Sequence, residues 1–209
     1  GFKTMNNFYF GSYASGKCHH LSGWYIDFET GLSMFGGMIA VAGFWLGFFQ
    51  YIRTRRWERT RAATAQLRQL HEDPWLSLAC LMLDWSDRSV LVPADFQEIL
   101  GRKTMMHTTM TLKEGLTPHN LETQFNPEHV LYRDVFDRFY TYLEEVEHAI
   151  HRKLYSVEDV RPLRYWLEAL FTHRFHDSTV FLNFAKAYNY DRVPELARQF
   201  GIDSPDPKS

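Results

Sequence analysis

Residues 31–52 read GLSMFGGMIAVAGFWLGFFQYI, and no charged side chain interrupts them. A helix of about 22 residues rises roughly 33 Å at about 1.5 Å per residue, enough to cross a hydrocarbon core of about 30 Å. The next nine residues, RTRRWERTR, carry five arginines: Arg53, Arg55, Arg56, Arg59 and Arg61. On the other side stand Asp27 and Glu29, with no basic residue nearer than Lys17. The pattern predicts one transmembrane helix over 31–52. Arginines beside a span stay on the cytoplasmic side. The expected topology is therefore single-pass in the inner (cytoplasmic) membrane, with residues 1–30 outside (periplasmic in a Gram-negative cell) and the C-terminal domain in the cytoplasm.

A cleaved signal peptide carries its charges before a shorter apolar core and small residues after it. Here the charges follow and the core is too long. Met5 is a candidate original start, which leaves residues 1–4 open as native sequence.

Aromatic rings belong at both ends of such a span, where one side of the ring is apolar and the other wet. Trp24 and Tyr25 precede it, and Tyr51 and Trp57 follow its core. With Arg53, Arg55, Arg56 and Arg59 they form the expected membrane-interface set, and the arginines suit anionic lipid headgroups. Inside the span Gly36, Ala40, Gly43 and Gly47 recur at spacings of four, three and four. Small residues aligned in this way let another helix approach closely, so these four are the expected helix–helix docking face. The opposite face, with Phe35, Trp45, Phe48 and Phe49, suits lipid or a bound pigment. No other cofactor is predicted.

The mean hydropathy of the whole chain is −0.36, so the apolar run is local and the remainder is polar in character. A net charge of −2 and a pI near 6.6 argue against a nucleic-acid partner. Its two cysteines, Cys18 and Cys80, fall on opposite sides of the expected span and cannot pair within one inserted chain.

After the arginines, a juxtamembrane helix is expected to run to Asp73-Pro74, because the residue before proline is pushed out of the α region. An apolar helix over PWLSLACLMLDW follows. Residues 86–126 are less regular: SVLVP reads as a short extended piece, ADFQEIL as a short helix, and KTMMHTTMTLKEGLTPHN as a loop or arm. Asn126-Pro127-Glu128 starts a helix, with a capping side chain, a proline in the first turn and an acid beside it. Leu131, Val135, Phe139, Leu143, Val146 and Ile150 hold helical spacing from there to about Lys153. Ser156-Val157-Glu158-Asp159 reads as a capping box opening a helix through Phe171. Two more helices are expected around STVFLNFAKAYN and PELARQFG, with Gly201 stopping the last. With no strand ladder in view, the fold class is all-α. The expected division is an aromatic, glycine-rich arm over 1–30, the span over 31–52 and a juxtamembrane helix over 53–73. A cytoplasmic helical domain over 74–203 and a polar tail over 204–209 complete it.

Histidine spacing is the chemistry-like signal. His148-x-x-His151 and His173-x-x-His176 place pairs on shared helix faces, and Glu145-x-x-His148 matches half of a di-metal carboxylate motif. A di-iron bundle needs two such motifs and two further inward glutamates, so the four histidines read as a polar surface and no metal is expected. Cys18-His19-His20 lacks the spacing for haem attachment. Asp84, Asp87 and Asp95 lack a nucleophile–base pairing, and no phosphate loop, G-x-S-x-G or H-E-x-x-H is present. The chain reads as a non-enzyme.

Trp57 and the helix through Leu70, the Asp73-Pro74 break and Leu83-Asp84-Trp85 carry a resemblance. So do Phe139–Val146 and Glu158-Asp159-Val160-Arg161-Pro162-Leu163, followed by Tyr165-Trp166. Together they are similar to a bacterial family with one N-terminal membrane helix and a small all-helical cytoplasmic domain of unknown function. The resemblance supplies no catalytic residues, and the arm over 1–30 is longer than it implies. The leading expectation is a non-catalytic accessory or scaffold subunit of a larger membrane complex, photosynthetic or respiratory, whose partners are other transmembrane subunits. The alternatives are a membrane-tethered signalling or phage-defence protein with a ligand-sensing helical domain, and a metal-dependent enzyme using the histidine pairs.

Overall fold

The computed structural model describes residues 28–119, 126–172 and 176–202, with side chains from Gly36 onward. The arm before residue 28, with Trp24, Tyr25 and Cys18, lies outside the described residues, as do His173 and the tail over 204–209. The chain divides into two compact units, residues 1–50 and 51–209. Helix α1 covers Phe28–Glu72. Among the described residues no helix is long and apolar enough to cross a membrane. Of the uncharged run, only 36–52 enters with its side chains, about 17 residues or roughly 25 Å of helix, and four of its positions are glycine.

The second unit is mainly helical. Its chain breaks after α1 at Asp73, whose carboxylate accepts from the backbone N–H of Trp75 at 2.8 Å and of Leu76 at 3.3 Å. Pro74 occupies the first helical position of α2, Pro74–Asp84, and costs no hydrogen bond there. α2 buries Trp75, Leu76, Leu78, Ala79, Cys80, Met82 and Leu83. That is too broad for one face, so α2 is a core helix.

The irregular region contains a two-stranded antiparallel ribbon, a correction to the expectation of no ladder. β1, Asp87–Leu91, pairs with β2, Thr104–Thr108, in the register Val90 opposite Met105 and Arg88 opposite His107. Between them ADFQEIL supplies only the single turn α3, Gln97–Leu100, which ends at Gly101 with φ of 69°. The Thr/Met-rich stretch is likewise not an arm. It forms β2 and then α4, Thr109–Gly115, capped by the Thr108 hydroxyl on the Thr111 N–H, and it buries Met105, His107, Leu112 and Leu116.

α5, Pro127–His151, is the central element. Asn126 caps it by accepting from His129 N–H at 2.8 Å. Leu131, Val135, Phe136, Phe139, Tyr140, Leu143 and Val146 are all fully buried on it, and it packs against α2, α4 and α8. The expected helix from Ser156 is split. Val157–Leu163 is a 3-10 helix with Pro162 inside it, and α6, Arg164–Phe171, follows. The Asp159 carboxylate accepts from both the N–H and the hydroxyl of Ser156, at 2.8 and 2.7 Å. Those bonds hold its carboxyl below the usual carboxylate range. α7, Ser178–Ala187, and α8, Arg192–Gln199, close the unit. At the end of α8, Gly201 takes φ of 70° so that the Ile202 N–H reaches back to Ala197 O at 3.0 Å.

Candidate functional site

Two features of the second unit concentrate polar chemistry: a pair of buried histidines at the end of α2, and the arginine-rich half of α1.

A helix leaves its last carbonyls without intrahelical partners, and inside a core they need donors. The end of α2 finds them in imidazoles from two distant elements. His107, from β2 and fully buried, places Nε2 at 3.0 Å from Met82 O and 2.9 Å from Trp85 O. His176, just before α7, places its Nε2 at 3.1 Å from the same Met82 O. Carbonyls only accept, so each Nε2 carries the hydrogen and each Nδ1 carries a lone pair. For His107 that lone pair accepts from Tyr132 OH at 3.0 Å. For His176, Nδ1 is buried without a partner. The two rings lie edge to face with centroids 6.2 Å apart. Burial lowers both pKa values from the ordinary 6.5, and for His107 the neighbouring His176 adds to the lowering. Both stay neutral, and their donors are committed to backbone. The pair thus acts as a latch joining α2, the ribbon and the start of α7.

A small cleft beside His176 is lined by Thr109, Leu112, Lys113, Asp177, Val180 and Phe181 and has about 20 Å³ of free space, room for one water. Cys80 supplies no nucleophile here. Burial first, and then the charge of Asp84, push its thiol up to about 12. Asp84 itself receives the Tyr165 hydroxyl, Asp87 sits in the ribbon opposite Thr108, and Asp95 is exposed.

Of the four candidate histidines, the three among the described residues are not brought together, and His176 is buried, a correction to the reading of all four as a polar surface. His148 and His151 are exposed near the end of α5, and His148 Nδ1 accepts from Arg192 at 3.0 Å. His176 is buried on α2 instead, and no group of three or more metal-ligating side chains occurs among the described residues. Sequence reading missed His107 and Tyr132. The signal for His107 is the alternation Met105, Met106, His107, which places positions 105 and 107 on one side of a strand; for Tyr132 it is its place beside Leu131 on the apolar side of α5.

Along α1, Tyr51, Arg53, Arg55, Arg56, Trp57 and Arg59 are all exposed, as is Arg61. Arg55 lies 5.0 Å above the Tyr51 ring, and Arg61 lies 5.3 Å above that of Trp57. Such cation–π contacts fix aromatic and guanidinium groups as joint surfaces. From Ala62 the helix turns one side inward. Ala63 and Leu70 are buried, Ala62 and Leu67 pack on the core, and the Tyr142 hydroxyl donates to Gln66 O at 2.9 Å. In the first unit, Gly36, Gly43 and Gly47 have open space where a Cβ would stand, and Ala40 is exposed.

The chain matches no family model, no curated protein and no solved structure.

Proposed function

We propose that this chain is a non-catalytic, single-pass accessory or scaffold subunit of a larger membrane complex, held at the membrane by α1 and presenting its helical domain to the cytoplasm. One observation carries the reading: the belt Tyr51–Trp57, where Arg53, Arg55 and Arg56 and two large aromatic rings are exposed where the uncharged helical run ends. Each basic residue close to an anionic surface contributes about 1 kcal/mol, and the sum falls with salt. A belt of this composition is well matched to a headgroup layer, where basic groups meet anionic lipid and amphipathic rings sit at the interface. Gly36, Ala40, Gly43 and Gly47 would then meet a neighbouring transmembrane helix of the host complex. The latch supports a scaffolding role, since its imidazoles hold structure together and have no free donor for substrate.

Membranes from cells making the full chain test both parts. Retention in the pellet after alkaline carbonate, with a cytoplasmic fluorescent fusion at the C-terminus, is expected. Release by carbonate or by salt alone would sink the membrane anchor. In mild detergent the 24.8 kDa chain should migrate within a larger species. A free monomer would end the subunit reading.

A further inference from the structure

Past Arg56, α1 has two unlike faces. One is spent on the domain, through Ala63, Leu67 and Leu70. On the other, Trp57, Arg61, Thr64 and Arg68 follow at spacings of four, three and four, the seam spacing of a helix lying along a second helix. Thr60 and Ala65 flank them, and all six side chains are exposed and line one continuous open surface. Trp57 is 63% exposed, beneath the Arg61 guanidinium. The Arg68 side chain is 66% exposed, with Glu72 Oε1 at 3.7 Å. Tryptophan and arginine are the residues that most often dominate protein interfaces, and the small Thr64 and Ala65 between them allow close approach.

Reach decides what can cover this face. Counted from Ile52 at about 1.5 Å per residue, Trp57 stands roughly 8 Å beyond the end of the uncharged run, Arg61 about 14 Å and Arg68 about 24 Å. A headgroup layer is about 5–8 Å deep on each side of a bilayer. The usual helix tilt of about 20° shortens these distances only slightly. Headgroups therefore serve Arg53–Arg56 and end at about Trp57, short of Arg61–Arg68. A second copy of this chain, held parallel by the same membrane, would set Arg61 against Arg61 and Arg68 against Arg68, which is repulsive.

We propose that the outer face of α1 from Trp57 to Arg68 docks an acidic helix of a partner protein. Its carboxylates meet Arg61 and Arg68, and its apolar seam covers Trp57. The reach argument and the exclusion of a second copy rest on the membrane-subunit reading; the match of an arginine-bearing seam to an acidic helix does not.

The test places a benzophenone amino acid at Ala65 in the full chain in its own membranes, with an Arg198 replacement on α8 as control. The expected adduct is protein, is specific to position 65, and maps to a helical peptide with a surplus of Asp and Glu. It falls at least about tenfold in the Arg61→Glu, Arg68→Glu double variant, as like-charge juxtaposition requires, while carbonate retention and the thermal melt stay as in the parent. Lipid adducts alone, a second copy of this chain, a peptide without acidic surplus, no adduct, or indifference to charge reversal would each overturn the proposal. Release of the parent chain by carbonate overturns the membrane reading instead, and leaves the adduct to be judged by its own sequence and charge dependence.

Discussion

α5 and the second half of α1 are both long helical stretches rich in charged residues, yet they do opposite work. α5 is the axis of the core, where Tyr132, Phe136, Phe139 and Tyr140 are fully buried. α1 from Tyr51 to Glu72 touches that core along one edge and is exposed elsewhere. The difference separates stability from function: a lesion on α5 should unfold the domain, and one on the outer side of α1 should leave it folded and alter only what it meets. The strongest way to break this contrast is Phe136→Ala. Its ring packs within 5.5 Å of Phe181 and 6.4 Å of Phe139, centroid to centroid. Truncation should cost about 3–5 kcal/mol in urea unfolding. A cost below about 1 kcal/mol would show that α5 is not the core axis.

Gly115→Ala probes the same axis from α4. An added Cβ would stand 2.9 Å from Tyr132 Cβ, with no flexible side-chain end to give way. Forcing the two helices apart should cost about 1–3 kcal/mol. An unchanged urea midpoint would mean that α4 rides loosely on α5.

Much of this organisation is legible in the sequence because several cues coincide at single places. Asp73 with Pro74, Asn126 with Pro127, and Gly201 after Gln199 each join a cap to a run of helical spacing, and each marks a true helix end. The ribbon was legible only as the extended piece SVLVP, which overlaps β1 at Ser89–Leu91, and not as a pair of strands. Its strands are five residues long, and β1 has one buried side chain, Val90, so the alternation that identifies a strand is barely sampled. Thr104, Thr108 and Thr109 read as loop residues, though Thr108 is a helix cap. Pro162 signals why the helix expected from Ser156 begins as 3-10, since it removes a donor inside the run. Of the latch, His176 was legible as a histidine and not as a buried one. Its role depends on Met82 O, far away in sequence, and on an orphaned helix end that no local pattern reveals. The basic belt was legible as charge, but its outward side on α1 emerges only once Ala63 and Leu70 are seen buried.

Acid sharpens the contrast between buried and exposed histidines. His107 and His176 have folded pKa values below the ordinary 6.5, chiefly through burial. The unfolded chain therefore takes up protons that the folded one refuses. Their contribution is complete above about pH 6.5 and is lost as the pH falls through that value towards the lowered ones. The urea midpoint should drop between about pH 7 and pH 5.5. The drop should shrink in His107→Gln, His176→Gln and persist in His148→Gln, His151→Gln, whose rings are exposed. Equal drops in both double variants would detach the latch from the pH response.

The smallest effects belong to the contact between the two regions of helix. Tyr142→Phe removes the hydroxyl that donates to Gln66 O and should cost about 1 kcal/mol. Faster amide exchange over residues 62–70 should accompany that loss, because the bond ties α1 to α5 and not α5 to itself. Trp57→Ala removes a larger side chain, but one that is 63% exposed and lies beneath Arg61. Surface truncations away from caps and cores stay within about 0.5 kcal/mol. If Trp57→Ala instead destabilises the purified chain by more than that, the tryptophan is part of the fold, and the outer side of α1 is not a surface kept for others.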